Sequence, residues 1–185
     1  MRKAWEAGDD PFLGPVEMDE TFIGGKEHNK HSAKKLRAGR GTVGKTPVAG
    51  VKDRATNKVS AAVIPGTDRP TLHGFVLERT AEGAEVYTDE LRAYRGLPNH
   101  KAVQHKVGQY VDEQAHTQGI ESFWAMLKRG YHGTYHHMSV DHLDRYVTEF
   151  SGRHNSRNAD TIDQMQRMAR GMVGKRLRYD DLIAA

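Results

Sequence analysis

The sequence predicts an α/β domain, and three observations carry that reading. The first half of the chain holds short apolar runs with period-two alternation, and the second half holds apolar stripes at helical spacing. No linker divides the 185 residues, a length that suits one domain with a sizeable core. Residues 16–23 alternate apolar and polar over most of their length and stop at Gly24 and Gly25, which reads as a strand and its terminator. Apolar residues 48–51 and 59–64 flank the polar stretch 53–58, which suits a hairpin turn, so three strands follow one another as a meander. Leu72, Phe75, Val76 and Leu77 place a short helix over 71–79, started by Asp68 or Thr67 with Pro70 in its first turn. Residues 85–88 give a fourth strand with Asp89 at its C-terminal end, and residues 101–105 a fifth.

Ile120, Phe123, Trp124, Leu127 and Tyr131 then form one apolar helical stripe. Val140, Leu143, Tyr146, Val147 and Phe150 form another, with Ser139 as its expected N-cap. Both helices are expected on the sheet. Residues 162–172 suit a third, weaker helix, followed by a basic tail.

Composition narrows the function classes. Hydrophobic residues are 37% and charged residues 28%, with a mean hydropathy of −0.75, which favours a soluble globular chain over disorder and excludes an apolar membrane-spanning helix. The first five residues carry positive charge but lead into Glu6, Asp9 and Asp10 instead of an apolar segment, so they do not read as a signal peptide, and an intracellular protein is expected. With no cysteine there is no disulfide, no thiol nucleophile and no cysteine-based zinc site. Any metal must sit on Asp, Glu, His or backbone oxygen.

The net charge is +4, but it is unevenly spread. Lys26, Lys30, Lys34, Lys35, Arg37, Arg40 and Lys45 face a single acid, Glu27, so residues 26–45 carry +6 and the remainder of the chain is −2. Gly39, Gly41 and Gly44 and the scarcity of apolar side chains predict a mobile surface loop. A charge run of this kind is either a solvated face or a contact for an acidic polymer.

Two acids stand where strands disfavour them. Asp19 lies inside the first strand between residues that seek burial, and Asp89 ends the fourth. The carboxyl ends of strands in open sheets are where ligands and catalytic groups gather. A lone strand-end Asp is more often a turn cap, but two on separate strands weaken that reading. Glu121 and Lys128 lie two turns apart on one side of the main helix, about 100° from the Ile120–Leu127 stripe, and border the core without being sealed in it.

These residues resemble a known family. The blocks MDETFIGGK (18–26), YTD (87–89) and HTQGIESFWAMLKRG (116–130), followed by YHHMS (135–139), RYVTEF (145–150) and RHN (153–155), look like those of the ISXO-like bacterial insertion-sequence transposases, members of the DDE transposase superfamily. The resemblance spans roughly residues 14–158 in order. It implies a ribonuclease-H-like catalytic domain over residues 14–158, with five mixed strands, helices on both faces and the basic loop after the first strand. Residues 159–185 would add a C-terminal helix and a basic tail. Relatives carry an N-terminal zinc ribbon and helix-turn-helix, and residues 1–13 are expected to be the remnant of that DNA-binding region, so the chain reads as a catalytic fragment.

The resemblance also implies chemistry. Asp19, Asp89 and Glu121 would be catalytic carboxylates that ligate two Mg2+ or Mn2+ ions, hard cations that suit oxygen donors. Water would attack at the transposon end, and the freed 3′-hydroxyl would attack target DNA without a covalent protein intermediate. Lys128 and Arg129 would contact DNA, as would Lys34, Lys35, Arg37 and Arg40 of the basic loop. Some members use Asn at the position matching Gln118, which makes Gln118 the alternative third ligand; Glu121 is preferred because a carboxylate offsets metal charge and an amide does not. Transposon ends and target DNA would be the partners of a homo-oligomer in the nucleoid-associated bacterial cytoplasm. Two other functions fit the same residues: an inactive, truncated DNA-binding remnant, or a non-transposing nuclease of the same fold.

Other features carry less. His132, His136, His137 and His142 cluster between the two main helices, but Gly133 argues against helix there and their spacing favours phosphate contact or local hydrogen bonding over metal ligation. Trp124 and Tyr131 read as core aromatics.

Overall fold

The computed structural model describes residues 2–5, 10–25, 27–36, 41–103, 117–176 and 178–183. Its centre is a five-stranded sheet of order β3-β2-β1-β4-β5, formed by β1 (Val16–Ile23), β2 (Thr46–Asp53), β3 (Val59–Val63), β4 (Val86–Thr88) and β5 (His100–Ala102). The first three strands form the expected antiparallel meander, while β4 and β5 join in parallel, so β1 is the middle strand and the junction of the two modes. The fifth strand is shorter than expected, and Gln104 and His105 lie outside the described residues.

Each face of the sheet has its own core. Val16 and Met18 of β1 pack with Ala49, Val51, Leu72, Phe75 and Val76 under helix α1 (Arg69–Leu77). Asp68 caps this helix, its side chain accepting from the Thr71 amide at 3.2 Å, with Pro70 in the first turn. On the other face, Ile23, Val48 and Val59 pack against Ile120, Phe123, Trp124 and Leu127 of α2 (Gln118–Gly130) and Leu143 and Val147 of α3 (Val140–Ser156). The stripe of α2 read from the sequence is therefore buried, as are Leu143 and Val147 of the α3 stripe, whereas Val140 at its start is 65% exposed. Phe150 of α3 lies against Gly130, where a Cβ would stand 2.3 Å from the ring, so only glycine lets the helices meet there.

Ser139 stands at the N-cap of α3 with extended backbone, as expected, without a capping hydrogen bond to its side chain. Two other expectations need correction. Gly133 does not end the helix: residues Tyr131–Tyr135 continue α2 as a π-helical turn, closed by His136 in the left-handed conformation at φ 57°. The described part of the basic loop is not featureless either. It holds short 3-10 turns at Glu27–Asn29 and Ser32–Lys34, and Glu27 gathers them by pairing with Lys30 at 2.8 Å and accepting from the Leu36 amide. Lys35 is exposed, while Lys26, Arg37 and Arg40, and the side chain of Lys34, lie outside the described residues.

Further along the chain, α4 (Thr161–Met172) and α5 (Tyr179–Ile183) follow α3. The short helix Arg2–Trp5 packs on α3 and α4, with the Trp5 indole against Gly152 and Ala4 against Gly171. Phe12 enters the core on the α1 side. No described helix is long and apolar enough to cross a membrane.

His154 near the end of α3 gives the fold a pH signature. Burial, with Arg157 and Lys52 nearby, lowers its pKa from 6.5 to about 4, while its Nε2 lies 3.1 Å from the Asn57 carbonyl and its ring packs edge-on against Phe123. The unfolded chain binds the proton first as pH falls, so this residue contributes stability that is complete above about pH 6.5 and lost toward pH 4. Calorimetry should show that the melting temperature of His154→Gln falls by less than that of the parent between these limits; equal slopes would contradict the linkage.

Candidate active site

The register of the parallel pair brings the two strand aspartates together. Val16 pairs with Val86 and Glu17 with Tyr87, and Asp89, one residue beyond the end of β4, stands near enough to Asp19 for its charge to act there. Neighbouring strands stand about 4.8 Å apart, so the two carboxylates lie within each other's electrostatic reach. Asp89 is placed just past β4, where its Oδ1 accepts the Leu91 amide at 3.0 Å.

Asp19 is on the α2 face of β1. Its cross-strand partner is Gly50, and Trp124 lies over that glycine: a Cβ there would come within 2.7 Å of the indole. The same indole donates from Nε1 to Asp19 Oδ2 at 3.0 Å. Trp124 is thus a core aromatic as its spacing foretold, and it also orients the candidate acid. Burial, and then the negative charges of Glu20 and Asp89, raise the Asp19 pKa to about 7.

Glu20 projects to the opposite face, where it accepts from the hydroxyl of Tyr94, a buried residue in the short helix Arg92–Tyr94 that follows Asp89. Its pKa is also raised, by burial and by Asp89. The bond joins the Asp89 segment to β1 across 74 residues of chain.

Glu121 sits in the first turn of α2, exposed, and accepts from the Thr117 hydroxyl at 3.3 Å. Residues two apart on a helix face nearly opposite ways. Gly119 faces Lys52 and Glu17, and Phe123 faces His154 of α3, so Glu121 is turned to the other, exposed flank of the helix. Lys128 is exposed two turns further along that flank, and Gln118 is exposed at the first residue of the helix. Arg129 lies about 100° around from Lys128 and is exposed. The basic loop leaves from the end of β1, beyond Ile23.

Among the described residues, no group of three or more His, Cys, Asp or Glu stands close enough to hold a metal ion. What the structure does hold is a partly buried Asp19 that feels the charges of Glu20, on the opposite face, and of Asp89. Hard, negative carboxylate oxygens of this kind are donors of the type that suits a divalent magnesium-like cation. Of the four clustered histidines, His132 packs edge-on against Tyr131, and His136 and His137 are exposed.

Three residues escaped the reading of the sequence. Glu17 is 2% exposed and pairs with Arg54 at 3.1 Å. Tyr94 carries no local signal of its tie to Glu20. Gly50 falls inside an ordinary apolar run. For Glu17 a signal existed, since a strand-interior glutamate on the same face as Asp19 is as anomalous as the aspartate itself.

Asp19 makes the metal-free protein less stable than it could be. Its carboxyl is ordinary in the unfolded chain and raised to about 7 in the folded one, so the penalty is absent below about pH 4, grows between these values and is full above pH 7. Asp19→Asn keeps an acceptor for Trp124 and should stabilise the metal-free protein by about 1–3 kcal/mol at pH 8 and by nothing at pH 4. Chemical denaturation at the two pH values measures this, and equal stability at pH 8 would contradict it.

Residues 11–155 match the family model described as the ISXO2-like transposase domain. No curated protein matches the chain. The matched span runs from just before β1 almost to the end of α3, holding both aspartates, Glu121 and the whole five-stranded sheet, whose mixed order and flanking helices are those of the ribonuclease-H-like fold; the chain belongs to the ISXO2-like transposase family of the DDE superfamily.

Proposed function

We propose that this chain is the catalytic domain of an insertion-sequence transposase that cuts and joins DNA strands, with Asp19, Asp89 and Glu121 as the acids of its site. The observation that supports this reading is that Asp19, inside β1, and Asp89, just past the neighbouring parallel strand β4, act on one another electrostatically, with Asp19 held by the Trp124 indole of the helix that also bears Glu121 and Lys128. DDE transposases generally use divalent metals, and bound Mg2+ or Mn2+ would activate the attacking oxygen and stabilise the leaving one in an in-line displacement. The chain's own part is to hold the carboxylates against their repulsion. Trp124 fixes Asp19, the Leu91 amide fixes Asp89, and Lys128 and Arg129 offer cations to DNA phosphates. Lys34, Lys35, Arg37 and Arg40 extend that contact, with transposon ends and target DNA as partners of a homo-oligomer.

Cleavage and joining of an end-bearing duplex should therefore require Mg2+ or Mn2+ and stop on chelation. Cutting without joining would favour a non-transposing nuclease, and binding without cutting an inactive remnant. Glu121→Gln should lower cleavage as far as Asp19→Asn does, by about a hundredfold or more, with DNA binding retained, while Gln118→Ala should cost little. The reverse ranking would move the third ligand to Gln118.

The basic loop makes a separate expectation. Replacing Lys34, Lys35 and Arg37 with Ala should weaken binding to all sequences alike and reduce the slope of log K against log salt by about 0.9 per lost phosphate contact, measured by fluorescence anisotropy. An unchanged slope would mean that the loop is merely solvated.

A further inference from the structure

We infer that Glu17 is a positioning residue: its buried carboxylate docks the first turn of α2 onto β1 and so sets the helix turn that carries Glu121. The inference rests on the reading of Glu121 as the third acid.

The first four amides of a helix have no acceptor within it. Thr117 stands at the N-cap of α2 but makes no capping hydrogen bond to the helix with its side chain. The acceptor comes from the sheet instead: Glu17 Oε2 accepts from the Ile120 amide at 2.9 Å, across 103 residues of chain. A negative carboxylate is also what the positive end of the helix dipole attracts. Ile120 immediately precedes Glu121, and Glu17 is one pleat from Asp19 on the same face of β1.

The other oxygen of Glu17 is linked to β4 through an arginine. Its Oε1 pairs with Arg54 Nε at 3.1 Å, and the Arg54 guanidinium lies over the ring of Tyr87 in β4, 3.9 Å from its centroid and two residues before Asp89. The carboxylate thus contacts α2 directly and β4 through Arg54. The approach is close enough to constrain a further residue. A Cβ on Gly119 would stand 2.7 Å from Glu17 Oε2 and 2.6 Å from Lys52 Nζ, so glycine is what lets the turn come down onto the strand.

The test uses the full chain and two readouts other than activity. In Glu17→Gln the amide oxygen is a weaker acceptor with no charge to offer Arg54 or the helix end. Hydrogen exchange at the Ile120 amide should accelerate by about tenfold or more. Mn2+ affinity, measured by calorimetry without DNA, should fall by about 10- to 100-fold, as for a residue that orients a ligand. In a Glu121→Gln background, Glu17→Gln should change Mn2+ affinity no further, because the two act in series. Gly119→Ala tests the same dock if Glu17→Gln fails to fold, and should reproduce both effects. Unchanged exchange at Ile120 would overturn the dock, and an equal loss of Mn2+ affinity with Glu121 already replaced would overturn the route through Glu121. Accelerated exchange, together with a Glu121→Gln variant that binds Mn2+ as tightly as the parent, would uphold the dock and refute Glu121 as a ligand.

Discussion

Three carboxylates in four consecutive positions of a central strand are the constraint on which the rest of this structure turns. Glu17, Asp19 and Glu20 all lie in β1, the middle strand of the sheet, with a core on each face. An ionised carboxylate taken from water into such a place is costly unless it is paired or hydrogen-bonded. Each of the three recruits a different distant element as its counterpart: Glu17 the start of α2 and Arg54, Asp19 the Trp124 indole, Glu20 the Tyr94 hydroxyl. The acids therefore select which segments pack beside β1, and those segments are the ones that carry Asp89 and Glu121.

The compensation is unequal, and the inequality separates structure from chemistry. Glu17 accepts from the Ile120 amide and from Arg54 and has Lys52 nearby, while Glu20 accepts from the Tyr94 hydroxyl and its pKa is raised. Asp19 accepts from the Trp124 indole and the Glu20 amide, yet burial and two like charges close at hand lift its pKa to about 7. A charge that the fold supports so incompletely is a poor structural element and a good place for a cation. Perturbation of this kind by burial and like charge is what functional sites retain at the expense of stability.

Much of this was legible in the sequence, for physical reasons that can be named. The strand 16–23, the hairpin and the stripes of α2 and α3 were readable because each buries one face, which imposes a period. Asp19 and Asp89 were readable because carboxylates contradict their local environment. The π-helical turn was missed because Gly133 weakens a helix locally, while packing of Tyr131 and Tyr135 in the α2–α3 core outweighs that preference. The long-range partners were missed because no periodicity encodes them. Tyr94 meets Glu20, and Ile120 meets Glu17, only through the order of the strands, and Gly50 and Gly119 matter only for what approaches them.

The topology also explains why one strand can coordinate so much. Because β1 pairs antiparallel with β2 and parallel with β4, the chain must leave the meander and return by way of α1 before β4 can be laid down. That return brings Asp89 near Asp19, and the Tyr94 bond ties the segment after it to β1. Helix α2 lies on the face that bears Gly50, Asp19 and Glu17, where its glycine fits the crowded end and its tryptophan fits the bare one. Its angular setting follows from those two contacts, and with it the flank on which Glu121 and Lys128 stand. Glu121 is therefore fixed less by its own surroundings, which are exposed, than by the contacts that Gly119 and Trp124, two residues before it and three after, make with the strand surface.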